Sequence, residues 1–70
     1  MIQIGTKVKW KWGNGYGKGK VIATYNSSMT KTIKGSEVTR NGEEGNKALL
    51  IEQEDGDQVL KSENEVERDD

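Results

Sequence analysis

The residues best suited to chemistry lie near the start of the sequence, in the stretch KWKWGNGYGKGK at positions 9–20. Glycines and lysines in such proximity suggest a phosphate-binding loop, in which backbone N–H groups and a lysine hold the phosphates. That motif requires G-x-x-x-x-G-K-[ST] between a strand and a helix. Here Lys20 is followed by Val21, and no two glycines have the required offset. The dinucleotide pattern G-x-G-x-x-G fails as well, so the stretch does not predict a phosphate loop.

The same stretch contains three of the four aromatic residues, namely Trp10, Trp12 and Tyr16, and Tyr25 is the fourth. Aromatic faces can hold a methylated ammonium or guanidinium group by cation–π attraction. A small core also needs its largest side chains as filler. We expect Trp10, in the middle of a strand, to be part of the core. Trp12 and Tyr16 lie beside a predicted turn, so we expect them to be partly exposed and retain them as candidates for ligand contact.

Lysines at positions 7, 9, 11, 18 and 20 alternate with these residues and predict a basic surface. Such a surface could follow a nucleic-acid backbone while the neighbouring aromatics stack on bases. It could equally be a solvated outer face whose lysines prevent edge-to-edge aggregation. Both interpretations stay open. The candidate binding surface consists of Lys9, Lys11, Trp12, Tyr16, Lys18 and Lys20.

Charge is distributed unevenly along the chain, although the net charge is only −1. Residues 1–40 carry eight basic side chains and one acidic side chain, whereas residues 41–70 carry three and eleven. This asymmetry indicates either a face that binds polyanions or oppositely charged strands that lie side by side. The sequence alone does not separate these alternatives.

The chain has neither His nor Cys. Disulfides, thiolate chemistry and ordinary zinc sites are therefore excluded, and so are the usual bases and nucleophiles near neutral pH. The segment DGDQ at positions 55–58 lacks the remaining ligands of a calcium loop. We expect no catalytic residue, no metal and no cofactor, and hence no enzyme.

The 70 residues predict one domain with a thin core, spanning residues 1–70 with a frayed end at 68–70. The longest apolar run, ALLI at positions 48–51, is far shorter than a membrane span. The start MIQIGTKVK lacks the layout of a signal peptide. We therefore expect a soluble, cytoplasmic protein with no membrane partner.

Strict alternation in TKVKWKW at positions 6–12 predicts a strand with Val8, Trp10 and Trp12 on one face and lysines on the other. GNGYG at 13–17 predicts a turn, with Asn14-Gly15 as its tight centre. Residues 19–25 predict a second strand in which Gly19 marks a bulge or a bend. The glycines of this region are thus interpreted as turn and bend positions.

Further along, residues 29–35 predict a third strand with Met29 and Ile33 inward, and residues 36–46 predict either a long loop or a short strand. The segments at 47–53 and 58–61 predict a hairpin, because Asp55-Gly56 between them is a strong hairpin signal. The S-x-x-E spacing of SENEV at 62–66 predicts one helical turn, followed by a short strand that could close the sheet.

Five or six short antiparallel strands with one late helical turn predict an all-β protein, a small SH3-like barrel. Closure into a barrel would remove the exposed edges that an open sheet of this size could not protect.

Three segments carry a resemblance to a known family: GTKVKWKWGNGYGKGKVIATY, TKTIKGSEVTRNG and ALLIEQEDGDQVLKSENEVE. In this order, and over roughly residues 4–67, they resemble the Tudor-like domain of the hypervirulence-associated protein family. The resemblance implies an SH3-like Tudor barrel and no established enzymatic activity. Tudor domains proper bind methylated Lys or Arg through an aromatic cage built from several strands. This chain has no aromatic residue after Tyr25, so the far wall of such a cage is missing.

The first of these segments is also similar to the motif of ribosome- and transcription-associated proteins in which the first hairpin of a barrel contacts RNA. We therefore expect a non-enzymatic binding module. A protein or peptide partner is the leading hypothesis, bound through the first hairpin with Trp12 and Tyr16 or through a barrel edge. Nucleic-acid binding through the lysine face of residues 7–20 is the alternative. The oligomeric state stays open, and a self-assembling structural protein is a third possibility.

Overall fold

The described part of the chain folds mainly as β-strands. The computed structural model describes residues 2–69, and within them lie seven strands and one 3₁₀ turn. In chain order the strands are β1 (Lys7–Trp12), β2 (Gly15–Tyr25), β3 (Met29–Ile33), β4 (Ser36–Arg40), β5 (Ala48–Gln53), β6 (Gln58–Ser62) and β7 (Glu67–Arg68). The 3₁₀ turn is Glu63–Glu65, between β6 and β7. The all-β prediction is confirmed, and β4 shows that residues 36–40 form a strand rather than a loop.

Five strands form one antiparallel sheet in the order β6-β5-β2-β1-β7, while β3 and β4 form a separate hairpin. Strand β2 is eleven residues long and pairs with β1 over its first half and with β5 over its second half. A register shift between Val21 and Ala23 interrupts the pairing with β5. The sequence predicted a bulge or a bend at Gly19, whereas the observed irregularity lies at Ile22, three residues later.

Strand β2 presents three glycines, Gly15, Gly17 and Gly19, on the face that also carries Trp12, Trp10 and Val8 from β1. The indole of Trp10 lies against Gly17, where an added Cβ would be 2.5 Å from Trp10 Cε2. Trp10 is buried, as predicted. These three glycines are therefore strand residues and not turn residues, and Gly17 makes room for an indole.

The turn between β1 and β2 is one residue earlier than the sequence suggested. Trp12 pairs with Gly15, so the two turn residues are Gly13 and Asn14 instead of Asn14 and Gly15. Gly13 has a φ of +56°, the positive value that a type II′ turn needs at its first central residue. A tight connection of this kind matches the twist of the two strands, and it brings β2 directly back along β1.

The core is built from the inner faces of β1, β2 and β5. Val8, Val21 and Ile51 are fully buried or nearly so, and Trp10 packs with them. The remaining members of this cluster are Ile2, Leu49 and Val66, with Val59 packed against it. The half-buried Met29 and Ile33 belong to the β3–β4 hairpin, which packs against β6.

Two sequence signals in the second half of the chain are confirmed. Asp55 and Gly56 lie in the β5–β6 loop, where Gly56 has a φ of +91° and its N–H donates to the carbonyl of Gln53. Glu65 accepts a hydrogen bond from the Ser62 N–H at 2.8 Å, which is the capping-box contact expected of the S-x-x-E spacing.

The end of the described chain is paired with β1. Arg68 lies opposite Val8 in β7, and the N–H of Asp69 donates to the carbonyl of Lys7. The predicted frayed end therefore does not include these two residues, and Asp70 lies outside the described residues. Within residues 2–69, no helix has both the length and the apolar character needed to cross a membrane.

One ion pair ties the β3–β4 hairpin to the 3₁₀ turn. Arg40 Nε donates to Glu65 Oε1 at 2.6 Å and Arg40 Nη2 to Glu65 Oε2 at 3.4 Å. Partial burial opposes ionisation of Glu65, but the hydrogen bonds from Arg40 and Ser62 and the positive charges of Arg40 and Lys61 outweigh it. The pKa of Glu65 is therefore lowered from its ordinary value.

The contact of Trp10 with Gly17 can be tested by adding one methyl group. We expect Gly17→Ala to lower the free energy of unfolding by about 2 kcal/mol, because the new Cβ overlaps the indole and the core must shift. Gly15→Ala is the matched control on the same face of β2, since its Cβ meets no atom within 4 Å in the described part of the chain. The control should be neutral or up to about 1 kcal/mol more stable. Urea unfolding followed by circular dichroism measures both, and equal stabilities would contradict the contact.

The ion pair of Arg40 and Glu65 predicts a pH dependence. A carboxyl whose pKa is lowered by folding stabilises the native state above its unfolded pKa of about 4.3, and this stabilisation disappears as the pH falls through the folded pKa. Glu65→Gln should therefore lower stability near pH 7 by at most about 1 kcal/mol, and should change it less at about pH 3. Arg40→Gln should have a similar effect near neutral pH, and the double variant should add little to either change. Additive losses in urea unfolding would show that the two side chains act independently.

Candidate functional site

A groove of 410 Å³ lies where three hairpins meet. The β1–β2 hairpin forms its aromatic wall, with Trp10, Trp12 and Tyr16. The β5–β6 hairpin forms the facing wall, with Asp55 and Asp57 among its lining residues. The tip of the β3–β4 hairpin closes the third side. We refer to this cavity as the groove.

The aromatic wall is open to solvent because β1 extends beyond the core. Trp12 is 72% exposed, whereas Trp10, two residues earlier on the same face of β1, is 3% exposed. The cross-strand neighbour of Trp12 is Gly15, which has no side chain to cover the indole. Trp12 therefore offers a large, uncovered aromatic surface beside a concavity.

The acidic wall is bridged to the β3–β4 hairpin by an ion pair. Lys34 Nζ lies 2.8 Å from Asp57 Oδ2. The hydrogen bond with Asp57 and the charge of Asp57, with a smaller contribution from the charge of Asp55, raise the pKa of Lys34 from its ordinary value against a small effect of desolvation. Asp55 in turn accepts a hydrogen bond from the Asp57 N–H at 2.9 Å. The two carboxylates and one ammonium form a compact charged cluster at one end of the groove.

The backbone of Lys34 is unusual for a residue with a side chain. Lys34 and Gly35 form the two-residue turn between β3 and β4, with φ values of +51° and +80°. Positive φ at both positions is the requirement of a type I′ turn, which strongly favours Asn-Gly. A lysine in this conformation is uncommon, and its side chain reaches the β5–β6 loop from there.

The lysine face lies on the other side of the β1–β2 hairpin. Lys7 is directly opposite Lys20, and Lys9 is opposite Lys18, an arrangement of like charges that destabilises a sheet. Tyr16 shares this face because it is opposite Lys11, and Lys9 Nζ lies 5.4 Å from its ring centroid.

Acidic residues from the second half of the chain flank this lysine face on both sides. Lys20 is paired with Glu52 of β5, and Lys9 is paired with Glu67 of β7. Oppositely charged strands therefore lie side by side in the sheet. This arrangement is one of the two interpretations of the uneven charge distribution that the sequence left open.

The six residues of the predicted binding surface do not share one face. Strand register places Lys9, Lys11, Tyr16, Lys18 and Lys20 on the outer face of the β1–β2 hairpin. Trp12 points to the inner face and the groove, although Tyr16 reaches the rim of the groove as well. The prediction that Trp12 and Tyr16 are exposed is confirmed.

Sequence reasoning missed Lys34, Asp55 and Asp57 as site residues. In the sequence, the two acids belong only to a hairpin signal and to an incomplete calcium loop. The dipeptide Lys34-Gly35 between two alternating segments was a possible turn signal, but the docking of this turn on the β5–β6 loop has no local signature. Residues 2–69 contain no group of three or more acidic side chains placed to hold a metal ion.

Comparison with known proteins gives one match. The model of a protein family described as "Hypervirulence associated proteins TUDOR domain" matches residues 5–66 of this chain. No curated protein and no solved structure matches this chain. The matched span is nearly the whole chain and includes the three hairpins that form the groove.

The turn at Lys34 predicts how stability depends on this residue. Lys34→Asn removes the ammonium but supplies a residue that tolerates positive φ. An exposed ion pair contributes little, so we expect the Tm of Lys34→Asn to equal or exceed that of the wild type. Lys34→Ala removes the same ammonium but leaves a residue that does not favour positive φ, so its Tm should be the lower of the two. Thermal unfolding by circular dichroism compares them, and a large loss in both variants alike would show that the ion pair holds the hairpin in place.

Proposed function

We propose that this chain, which belongs to the hypervirulence-associated protein TUDOR domain family over residues 5–66, is a non-enzymatic binding module whose groove takes an extended segment of a partner protein. Tudor-like domains are commonly binding modules, and the all-β fold with its open groove agrees with such a role. The partner segment would lie between the β1–β2 hairpin and the β5–β6 loop, on the exposed indole of Trp12.

The exposure of Trp12 is the observation that carries this proposal. At 72% it is the most exposed large hydrophobic side chain among the described residues, and it lines a groove instead of standing alone on a convex surface. Tryptophans in such positions contribute strongly to protein interfaces, because they bury a large area at low entropic cost when a partner covers them.

The charge of the groove favours a protein partner over a nucleic acid. Asp55 and Asp57 line the groove together with Lys34 and Lys61, so these charges balance and the groove has no net positive charge to attract a phosphate backbone. Tyr16 at the rim and Val59 in the facing wall add apolar and aromatic surface. A groove with an aromatic wall and a few charged groups suits a peptide, whose side chains alternate in chemistry.

The non-enzymatic part of the proposal rests on the side chains available. Neither His nor Cys occurs in the chain, so the residues that most often act as a general base or a thiolate nucleophile are absent. Within the charged cluster at the groove, Lys34 and Asp57 form an exposed ion pair. Such a pair can contact charged groups of a partner.

Nucleic-acid binding on the lysine face is the second candidate. It is favoured by the directly opposed pairs Lys7–Lys20 and Lys9–Lys18, whose mutual repulsion a phosphate backbone would relieve. The flanking Glu52 and Glu67 reduce the positive potential of this face. We therefore rank it below the groove.

A peptide selection tests the proposed function. A random peptide library displayed on phage would be selected on the wild-type domain, and the enriched peptides would be measured on Trp12→Ala and on Lys11→Ala. Because the groove lies on the Trp12 side of the hairpin, we expect Trp12→Ala to weaken binding about tenfold or more. Lys11→Ala, one residue earlier on the outer face, should leave it unchanged. Peptides that bind all three proteins equally, or no enrichment at all, would contradict the proposal.

The second candidate predicts a different dependence on salt and on substitutions. A fluorescent single-stranded oligonucleotide that binds the lysine face should lose affinity steeply between about 50 mM and 200 mM salt. It should weaken further in Lys9→Gln and Lys18→Gln and be indifferent to Trp12→Ala. If anisotropy titrations give this pattern and the peptide selection fails, the function is nucleic-acid binding on the outer face and not peptide binding in the groove.

A further inference from the structure

The groove already contains a cation in the free protein, and that cation belongs to the chain itself. Lys34 reaches from the tip of the β3–β4 hairpin and places its ammonium 2.8 Å from a carboxylate oxygen of Asp57. Both partners line the groove together with Trp12. The geometry is that of a bound basic side chain, supplied by a neighbouring hairpin.

The ion pair is placed so that another cation can replace it. The side chain of Lys34 is 70% exposed and that of Asp57 is 41% exposed, so water and solutes reach both groups. Exposed ion pairs of this kind contribute little to stability. The β3–β4 hairpin also forms a sheet of its own and does not extend the five-stranded sheet. Lys34 can therefore leave Asp57 without breaking the main sheet.

The charges along the groove define where a second cation would bind. Near the C-terminal end of β6, Lys61 Nζ lies 5.8 Å from the Trp10 ring centroid and would repel an incoming cation. At the start of β6, Asp55 lies close to Asp57 and contributes a second negative charge. A basic side chain is thus directed to the Asp57 end, where its aliphatic stem can lie against the exposed Trp12.

We propose that Asp57, with Asp55 beside it, is a cation subsite that Lys34 fills in the free protein and that a Lys or Arg side chain of the bound segment takes over. This inference rests on the proposed function and names the chemistry of the partner. Lys34 then acts as an internal competitor. Because Lys34 must leave Asp57 first, a basic segment binds with an apparent affinity that is reduced to the fraction of time for which Asp57 is free.

The subsite is tested with a small cation in place of a peptide. The probe is n-butylammonium, which carries the charge and the stem of a lysine side chain, and 1-butanol is the neutral control at the same ionic strength. Titrations followed by ¹H–¹⁵N NMR would report on the Trp12 indole N–H and the backbone amides of Lys34 and Asp57. We expect butylammonium to shift these signals, and butanol to shift them much less.

Variants of the charged cluster test whether Lys34 competes with the added cation for Asp57. Lys34→Asn removes the competitor at a turn position that suits Asn, and it should bind butylammonium about threefold or more tightly than the wild type. Asp57→Asn keeps the size of the side chain and should abolish the shifts, whereas Asp55→Asn should only weaken them. Spectra that superpose on the wild type away from the residues that line the groove show that each variant is folded. Unchanged affinity in Lys34→Asn, retained binding in Asp57→Asn, or equal shifts with butanol would overturn the proposal.

The peptide selection distinguishes failure of this inference from failure of the proposed function. If the selected peptides depend on Trp12 but carry no basic residue and do not bind more tightly to Lys34→Asn, the groove binds peptides and the cation subsite is refuted. If butylammonium behaves as expected while no peptide depends on Trp12, the subsite is supported and the proposed peptide-binding function is refuted.

Discussion

The structure depends on one contact between a very large side chain and a residue that has no side chain. Trp10 lies against Gly17 so closely that a single Cβ would overlap its indole. A chain of 70 residues with 30% hydrophobic residues must obtain much of its buried apolar area from a few large side chains. Strand β2 makes this possible because its inner face carries glycines where it pairs with β1. The strand therefore loses intrinsic stability at these positions and gains an indole as cover.

The groove is a consequence of the same arrangement. The glycine opposite Trp10 allows that indole to be buried, and the glycine opposite Trp12 leaves the second indole uncovered. Strand β2 then continues past the register shift and recruits β5, which brings the β5–β6 loop opposite Trp12. The separate β3–β4 hairpin closes the third side through Lys34. The groove thus lies where the thin core ends, between hairpins that the fold already contains.

Much of this fold was predictable from local patterns. Alternation located β1 with Trp10 inward, the Asp55-Gly56 turn located the last hairpin, and the S-x-x-E spacing located the 3₁₀ turn. The glycines of β2 were misinterpreted because glycine is a poor strand former, and its use there depends on a tryptophan in the opposite strand. The ion pair of Lys34 and Asp57 was not predictable for a related reason. It joins two turns that are distant in sequence, and only the packing of the hairpins brings them together. The exposure of Trp12 and Tyr16 was predictable from their position beside a turn, whereas the face that each side chain takes depends on strand register.

The central claim is that the inner glycines bury one tryptophan and leave the other open on the groove. The most direct test is the effect of a soluble gadolinium chelate on the two indole N–H signals in the ¹H–¹⁵N spectrum, read together with the nuclear Overhauser contacts of each indole. The structure predicts that the Trp12 signal is strongly broadened, while the Trp10 signal is protected and its ring protons show contacts to the Hα protons of Gly17. Equal broadening of both signals, or a protected Trp12, would contradict the account, because the groove would then lack its exposed aromatic wall.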